Sequence, residues 1–170
     1  MRSFWMIVSV GVSTLLGVML ADRFQCHALI LFDMRVLCGT VRLQSVCGGG
    51  SVLQMLKSFL PRSQAVQAFL QRYREHLRQH PSEVSWKLAL EETILSRQAF
   101  LGVTQQEAYL FLQIERAMGS FLSCQQDMLQ DLEQELEKLL ADARQQCKTR
   151  GTMCTKLGLI FGVAAAVLWM

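Results

Sequence analysis

Two histidines, His76 and His80, have the spacing at which two imidazoles on one helix can share a zinc ion. The zinc-protease pattern has a glutamate directly after the first histidine, and Leu77 occupies that position here. Leu77 also continues an apolar helix face, and positive charge suits the C-terminal end of a helix. The pattern therefore predicts a solvated histidine pair and no metal site.

Two other short patterns could support chemistry. Gly48 to Gly50 precede Ser51, and consecutive backbone amides before a helix bind anions, but no lysine follows at Walker A spacing. Cys26 and His27 could act as nucleophile and base, yet adjacent side chains diverge on a helix. We therefore predict a protein that is not an enzyme, with no cofactor and no small-molecule substrate.

A group of arginines is the strongest candidate for a functional surface. Glu75 is the only acidic residue between Pro61 and His80, a segment that also contains Arg62, Arg72, Arg74 and Arg78. Such a surface could meet anionic lipid or an acidic partner, and it could also be an ordinary solvated helix face. We predict that Arg72, Arg74 and Arg78 bind a partner. The alternative contact is the acidic face of the last helix, at Glu133 and Glu137.

These residues lie between two apolar ends. Phe4 to Ala21 carries no charge and is long enough to cross a hydrocarbon core of ~30 Å at ~1.5 Å per residue. Leu157 to Met170 is shorter, and spans only if Thr152 to Thr155 enter the membrane and Lys156 snorkels. The pattern predicts a transmembrane helix over 4–21, a helical domain over 22–150 and a C-terminal membrane segment over 152–170. A cleaved secretory signal ending at Ala21 is an alternative.

Both apolar segments carry small residues at helical spacing, which let helix backbones approach closely in lipid. They predict a two-helix hairpin or a contact with another membrane protein, and chance is the alternative. The residues are Ser9, Ser13, Gly17 and Ala21 in the first segment and Gly158, Gly162 and Ala166 in the second.

The charges indicate an orientation for the middle of the chain. It holds all 14 acidic residues and all but two of the 17 basic ones, so it is close to neutral and offers no strong field for nucleic acid. Arg23, Lys148, Arg150 and Lys156 lie at its membrane junctions, opposite Arg2, and the positive-inside rule then places the domain in the cytoplasm. The six cysteines form no C-x-x-C pair, which favours free, mostly buried thiols over disulfides.

Helical periodicity dominates the middle of the chain and predicts an all-α bundle of five or six helices. The first span should continue as a helix to Gly48, and a capping box at Ser51 should start a short helix over 52–60. Further helices are predicted from the apolar face at Val66 to Leu77, from Trp86 to near Gly102, and from a capping box formed by Thr104 and Glu107 with an inner face at Leu110, Ile114, Ala117 and Met118. The last helix has a seam and a solvated face: Leu122, Gln125, Leu129, Leu132, Leu136, Leu139 and Ala143 form the seam, and Asp131, Glu133, Glu135 and Glu137 form the face.

The last third of the chain resembles stage III sporulation protein AB of endospore-forming bacteria. The resemblance rests on Gly119, Gln126, the leucine-rich helix, Lys156 and the Leu157-Gly158 to Gly162 tail. The sequence departs from the family pattern at Cys26-His27, at Cys47 to Leu53 and at Leu122.

The resemblance implies a non-enzymatic component of the channel between mother cell and forespore, in the mother-cell membrane facing the forespore. It also implies a domain similar in fold to the cytoplasmic domains of the type II secretion F platform protein. The implied partners are a cytoplasmic sporulation ATPase, other channel membrane proteins and membrane lipid. Two other classes remain open: a membrane-anchored helical interaction protein similar to apoptosis regulators, and a secreted, tail-anchored enzyme.

Overall fold

The computed structural model describes residues 2–47, 56, 59–79, 84–118 and 122–168, and these ranges contain helices and no strand. The all-α prediction is therefore confirmed. The described chain divides into two compact units, one made of the chain up to Ala28 with the chain from Asp142, and one made of Leu29–Ala141. The α-helices are α1 (Arg2–Cys47), α2 (Gln64–Gln79), α3 (Val84–Thr93), α4 (Gln98–Leu101), α5 (Gln105–Met118), α6 (Leu122–Gln146) and α7 (Thr152–Leu168).

Helix α1 continues well past the end of the predicted span, as the sequence indicated. Its segment Val10–Leu43 is long and apolar enough to cross a membrane, and it is the only such helix in the part of the chain that the structure describes. The chain from Asp142 reaches α7 through a π-helix, Cys147–Gly151. Thr149 and Thr152 donate hydroxyl hydrogen bonds to the carbonyls of Gln145 and Lys148, one turn earlier.

An aromatic cluster forms part of the core of the Leu29–Ala141 unit. The ring of Trp86 on α3 meets Phe69 and Tyr73 of α2 edge-on, with centroids 4.7 and 5.1 Å apart. Such T-shaped contacts are the preferred geometry of aromatic pairs. Trp86 is fully buried, and its indole Nε1–H donates to the carbonyl of Phe111 on α5 at 3.0 Å. The Trp86 side chain of α3 therefore contacts both α2 and α5 and joins the three helices.

The helix predicted from Trp86 to Gly102 is interrupted. It ends at Thr93, and a 3-10 turn, Leu95–Arg97, leads into the short α4. The hydroxyls of Thr93 and Ser96 donate to carbonyls one turn back, a pattern that bends helices. Gly102 ends α4 in the left-handed region with φ 75°, which glycine adopts without a steric penalty.

The capping box at the start of α5 is confirmed. The carboxylate of Glu107 accepts the backbone N–H of Thr104 at 2.6 Å, and the Thr104 hydroxyl accepts the N–H of Glu107 at 3.3 Å. Leu110, Ile114 and Ala117 of the predicted inner face are buried. The side chain of Met118 lies outside the described residues.

The leucine seam of α6 is a core contact, with one correction. Leu129, Leu132, Leu136 and Ala143 are buried, but the buried residue between the last two is Leu140, and the predicted Leu139 is half-exposed. The buried residues Leu132, Leu136 and Leu140 are four residues apart, and four is closer to the 3.6-residue helical period than the predicted step of three from Leu136 to Leu139. Leu122 has no described side chain. The predicted helix over 52–60 also lies mostly outside the described residues, and Phe59 and Leu60 are not helical.

Candidate functional site

The small residues of α1 and α7 meet in the unit that contains both chain ends. A methyl group built on Gly17 would lie 2.9 Å from the carbonyl oxygen of Cys154, and one on Gly158 would lie 2.9 Å from the carbonyl oxygen of Ser13. Real Cβ atoms do not approach backbone oxygens so closely, so both positions require glycine at this helix separation. The Ser13 hydroxyl donates to the carbonyl of Gly158 at 2.8 Å.

The contact continues in both directions along the two helices. A methyl on Gly162 would lie 3.2 Å from the Cα of Val10, and one on Gly151 would lie 4.0 Å from the Cβ of Ala21. Ala166 belongs to α7, and its side chain is not described. The structure therefore brings five of the seven small residues predicted to pack the apolar segments into the contact between the two helices, namely Ser13, Gly17, Ala21, Gly158 and Gly162. The side chain of Ser9, the seventh, is also not described.

The outer surface of this helix pair is apolar. Large apolar side chains of both helices are between 49% and 66% exposed: Leu15, Leu16, Met19 and Leu20 on α1, and Leu157, Ile160, Phe161, Val163 and Val167 on α7. Soluble proteins rarely expose a contiguous apolar surface of this kind, and large exposed patches mark contacts with membranes or other proteins.

The three arginines predicted to form a binding surface on α2 differ in their contacts and exposure. Arg72 forms ion pairs with Glu75 at 3.1 Å and with Glu92 of α3 at 3.7 Å. Arg74 is half-buried and donates to the backbone carbonyl of Leu56, which holds that buried residue against α2. Arg78 is exposed. Of the three, Arg74 therefore has a structural contact, while Arg72 and Arg78 remain accessible.

The predicted acidic face of α6 is divided in a similar way. Glu133 forms an ion pair with Arg42 of α1 at 3.1 Å, and Glu137 forms one with Arg35 at 3.2 Å. Glu137 keeps 59% of its side chain exposed and stays on the solvated face, whereas Glu133 is only 21% exposed beside its partner on α1.

The other two residues of that face line an open groove between α5 and α6 with a volume of about 430 Å³. Its lining residues are Gln106, Asp131, Gln134, Glu135, Lys138 and Leu139.

The remaining candidate residues form no catalytic arrangement within the described ranges. His76 lies 3.4 Å from the Glu92 carboxylate, and His80 lies outside the described residues, as do Gly48 to Ser51. No three His, Cys, Asp or Glu side chains among the described residues come together as metal ligands. Cys26, Cys38, Cys147 and Cys154 are free thiols as predicted, but only Cys38 is buried. It donates to the carbonyl of Leu129 at 3.4 Å.

Several structural residues escaped the sequence patterns because their partners are distant in the chain. Asp33 is buried on α1 and its carboxylate accepts the backbone N–H of Ser63 at 2.6 Å, directly before α2. The guanidinium of the neighbouring Arg62 lies 4.9 Å from the centre of the Phe32 ring, in a cation–π arrangement. The sequence does show an aspartate, Asp33, within an apolar stretch of α1. Because a buried carboxylate needs hydrogen-bond partners, this pattern could have predicted a structural contact at Asp33.

Together these features define an all-helical protein with one apolar helix pair and one helical unit that has a conventional core. The family model of stage III sporulation protein AB matches residues 3–170, so this chain belongs to the stage III sporulation protein AB family. Membership assigns the chain to sporulation, and the family is one of sporulation structural proteins and not a known enzyme family. No curated protein and no solved structure matches the chain. The likeness to type II secretion platform domains therefore stays a prediction.

Proposed function

We propose that the chain is a non-enzymatic structural component of the channel between mother cell and forespore. It is anchored in the mother-cell membrane by α1 and α7 and acts as a platform that docks a cytoplasmic ATPase. The observation that carries the anchoring is the helix pair, which closes through Gly17 and Gly158 and exposes apolar side chains all along its outer surface. Lipid is the medium in which such a surface is stable.

The orientation follows from the charges beside the helix pair. Arg23 on α1 and Lys148 and Arg150 before α7 outnumber Arg2 at the opposite end, which favours a cytoplasmic location for the Leu29–Ala141 unit. Cys26 is an exposed free thiol on the same side as Arg23. A maleimide that cannot cross membranes should label Cys26 only after the cells are opened, once any wall barrier has been controlled for. Labelling in intact cells would reverse the proposed orientation.

The docking surface is assigned to the accessible arginines of α2. Arg78 is exposed, and Arg72 keeps 57% of its side chain exposed beside its ion pairs with Glu75 and Glu92, so both can meet a partner, each exposed contact contributing about 0.2–1 kcal/mol. The structure limits the choice of variant, because Arg74 binds the carbonyl of Leu56 and its replacement would disturb the fold. The test is therefore the double variant Arg72→Glu with Arg78→Glu in the full chain. Lys87→Glu with Arg97→Glu is the matched control, since both of those residues are exposed on other helices.

The arginine variant should lose co-purification with the sporulation ATPase and reduce the frequency of sporulation, whereas the control should retain both. Residual association should also be less sensitive to salt, because fewer attractive charges remain to be screened. Normal sporulation and normal co-purification of the arginine variant would exclude this surface. The ATPase contact should then be sought on the acidic face of α6, at the exposed carboxylates of Asp131, Glu135 and Glu137.

A further inference from the structure

The π-helix between α6 and α7 lies beside Ala21 of α1. Gly151, its last residue, is buried, and a methyl group there would lie 4.0 Å from the Ala21 Cβ. The next contacts, Cys154 with Gly17 and Gly158 with Ser13, show that the two segments run in opposite directions. Arg23 is therefore at nearly the same level as Lys148 and Arg150, within about 5 Å along the helix axis.

This level coincides with the boundary between apolar and charged sequence. On one side of it, Phe4 to Ala21 carries no charge, and the exposed side chains of both helices are largely apolar. Charged residues begin at Asp22. When the helix pair crosses a bilayer, as proposed above, this boundary lies among the lipid headgroups.

The three basic side chains at this level are available to a ligand. Arg23, Lys148 and Arg150 are exposed, and none of them has an ion-pair partner among the residues that the structure describes. Asp22 is the one acidic residue within the same turn of α1, so the level keeps a net positive charge. Guanidinium and ammonium groups are the side chains that bind phosphate oxygens most strongly.

A fourth basic residue, on the membrane side of this level, can also extend its charged group to it. Lys156 lies five residues beyond Gly151, about 7.5 Å deeper at ~1.5 Å per residue, and it is exposed. A lysine at that depth extends its aliphatic stem along the apolar surface and places its ammonium group at the headgroups. The four residues Arg23, Lys148, Arg150 and Lys156 form what we name the cationic collar.

We propose that the cationic collar binds the phosphodiester headgroups of anionic phospholipids, so that the chain retains anionic lipid around the helix pair in preference to zwitterionic lipid. This inference rests on the proposed membrane anchoring. It adds a lipid specificity that anchoring by apolar surface alone does not require, since acyl chains are alike in both lipid classes. Each basic residue near an anionic surface adds to this preference through its attraction to the negatively charged headgroups.

The test uses the full chain reconstituted into vesicles made of equal parts of phosphatidylcholine and phosphatidylglycerol. Spin-labelled forms of each lipid report, by electron paramagnetic resonance, the fraction immobilised on the protein. The collar variant is Arg23→Gln, Lys148→Gln, Arg150→Gln and Lys156→Gln. The matched control, Lys87→Gln, Arg97→Gln, Arg116→Gln and Lys138→Gln, removes the same charge from exposed residues of the other unit.

The native chain and the control should immobilise phosphatidylglycerol several-fold more than phosphatidylcholine, and the collar variant should immobilise the two nearly equally. Exchanging Lys148 for arginine and Arg150 for lysine should preserve the preference, because charge and not shape carries it. If the collar variant prefers phosphatidylglycerol over phosphatidylcholine as strongly as the native chain does, the lipid site is overturned.

The outcome also separates this inference from the anchoring on which it rests. The native chain should float with vesicles of phosphatidylcholine alone, since insertion depends on the apolar surface. Flotation together with a failed lipid preference would leave the anchoring intact and exclude the collar site. A chain that associates with neither kind of vesicle would overturn both proposals. With Trp5 and Trp169 changed to phenylalanine in every variant, fluorescence of the buried Trp86 should be the same in all of them, as evidence that they share one fold.

Discussion

Asp33 and Ser63 are joined by a buried hydrogen bond in which the Asp33 carboxylate accepts the Ser63 backbone N–H at 2.6 Å, and Asp33 is only 2% exposed. Ser63 immediately precedes α2, and its carbonyl accepts the first helical hydrogen bond, from Gln67. A carboxylate at this position satisfies an N–H that the helix itself leaves unpaired, and it also suits the helix dipole. One side chain of α1 therefore fixes where α2 begins.

Replacement of Asp33 should destabilise the Leu29–Ala141 unit. Asp33→Ala leaves a buried N–H without an acceptor, which should lower the free energy of unfolding by about 1–3 kcal/mol. Asp33→Asn keeps an acceptor oxygen, so it should lose less. Urea titration of the full chain in detergent, followed by Trp86 fluorescence with Trp5 and Trp169 changed to phenylalanine, measures the difference. Equal losses in the two variants would contradict a role as hydrogen-bond acceptor.

The register of α6 predicts unequal effects at two neighbouring leucines. Leu136 is fully buried, and Leu136→Ala should cost about 2–5 kcal/mol through lost apolar contacts and the cavity left behind. Leu139 faces the groove and is half-exposed, so Leu139→Ala should cost clearly less. The same unfolding assay compares them. A larger loss at Leu139 would restore the seam predicted from the sequence.

The contact between Ala21 and Gly151 predicts a disulfide. The separation of 4.0 Å between the Ala21 Cβ and a Cβ at Gly151 lies within the range found in disulfides. Ala21→Cys with Gly151→Cys should therefore cross-link under mild oxidation, in a background with Cys26, Cys147 and Cys154 changed to serine. The control pair Ala21→Cys with Thr149→Cys should not, because Thr149 is exposed. Mass spectrometry of the digested chain identifies the bond, and cross-linking of the control alone would refute the register.

The burial of Tyr73 predicts that the free energy of unfolding falls at alkaline pH. Burial, followed by the negative charge of Glu115, raises the pKa of the Tyr73 hydroxyl above its ordinary value of 10.0. The folded state thus favours the neutral phenol. This contribution to stability is fully present below pH 10, and it is lost as the pH rises through the folded pKa.

The free energy of unfolding should therefore fall above pH 10 more steeply in the native chain than in Tyr73→Phe. Tyr109→Phe is the control, since Tyr109 is 54% exposed. Urea titrations at a series of alkaline pH values measure the slopes. Parallel slopes for the native chain and Tyr73→Phe would mean that ionisation of Tyr73 does not limit stability.

Local features of the fold could be predicted from the sequence, and distant pairings could not. The capping box of Thr104 and Glu107 involves residues three positions apart, and the apolar face of α2 repeats within single turns, so short-range patterns contain the relevant information. The pairing of Arg42 with Glu133 joins different helices, and helix periodicity does not specify which faces meet. The small residues Gly17 and Gly158 were predicted because close helix approach has its own compositional signature. Which residue of α1 meets which residue of α7 does not follow from that signature.

The hydrogen bond from Ser13 to Gly158 has a consequence for the time course of synthesis. Its two residues are 145 positions apart in the chain. At about 5–20 residues per second, the ribosome needs roughly 7–30 s after making Ser13 to supply the partner carbonyl. During that interval α1 has to persist without α7, and its uncharged part, Phe4 to Ala21, is long enough to cross a bilayer alone. The helix pair can therefore form only after Gly158 has been synthesised, long after α1 has left the ribosome.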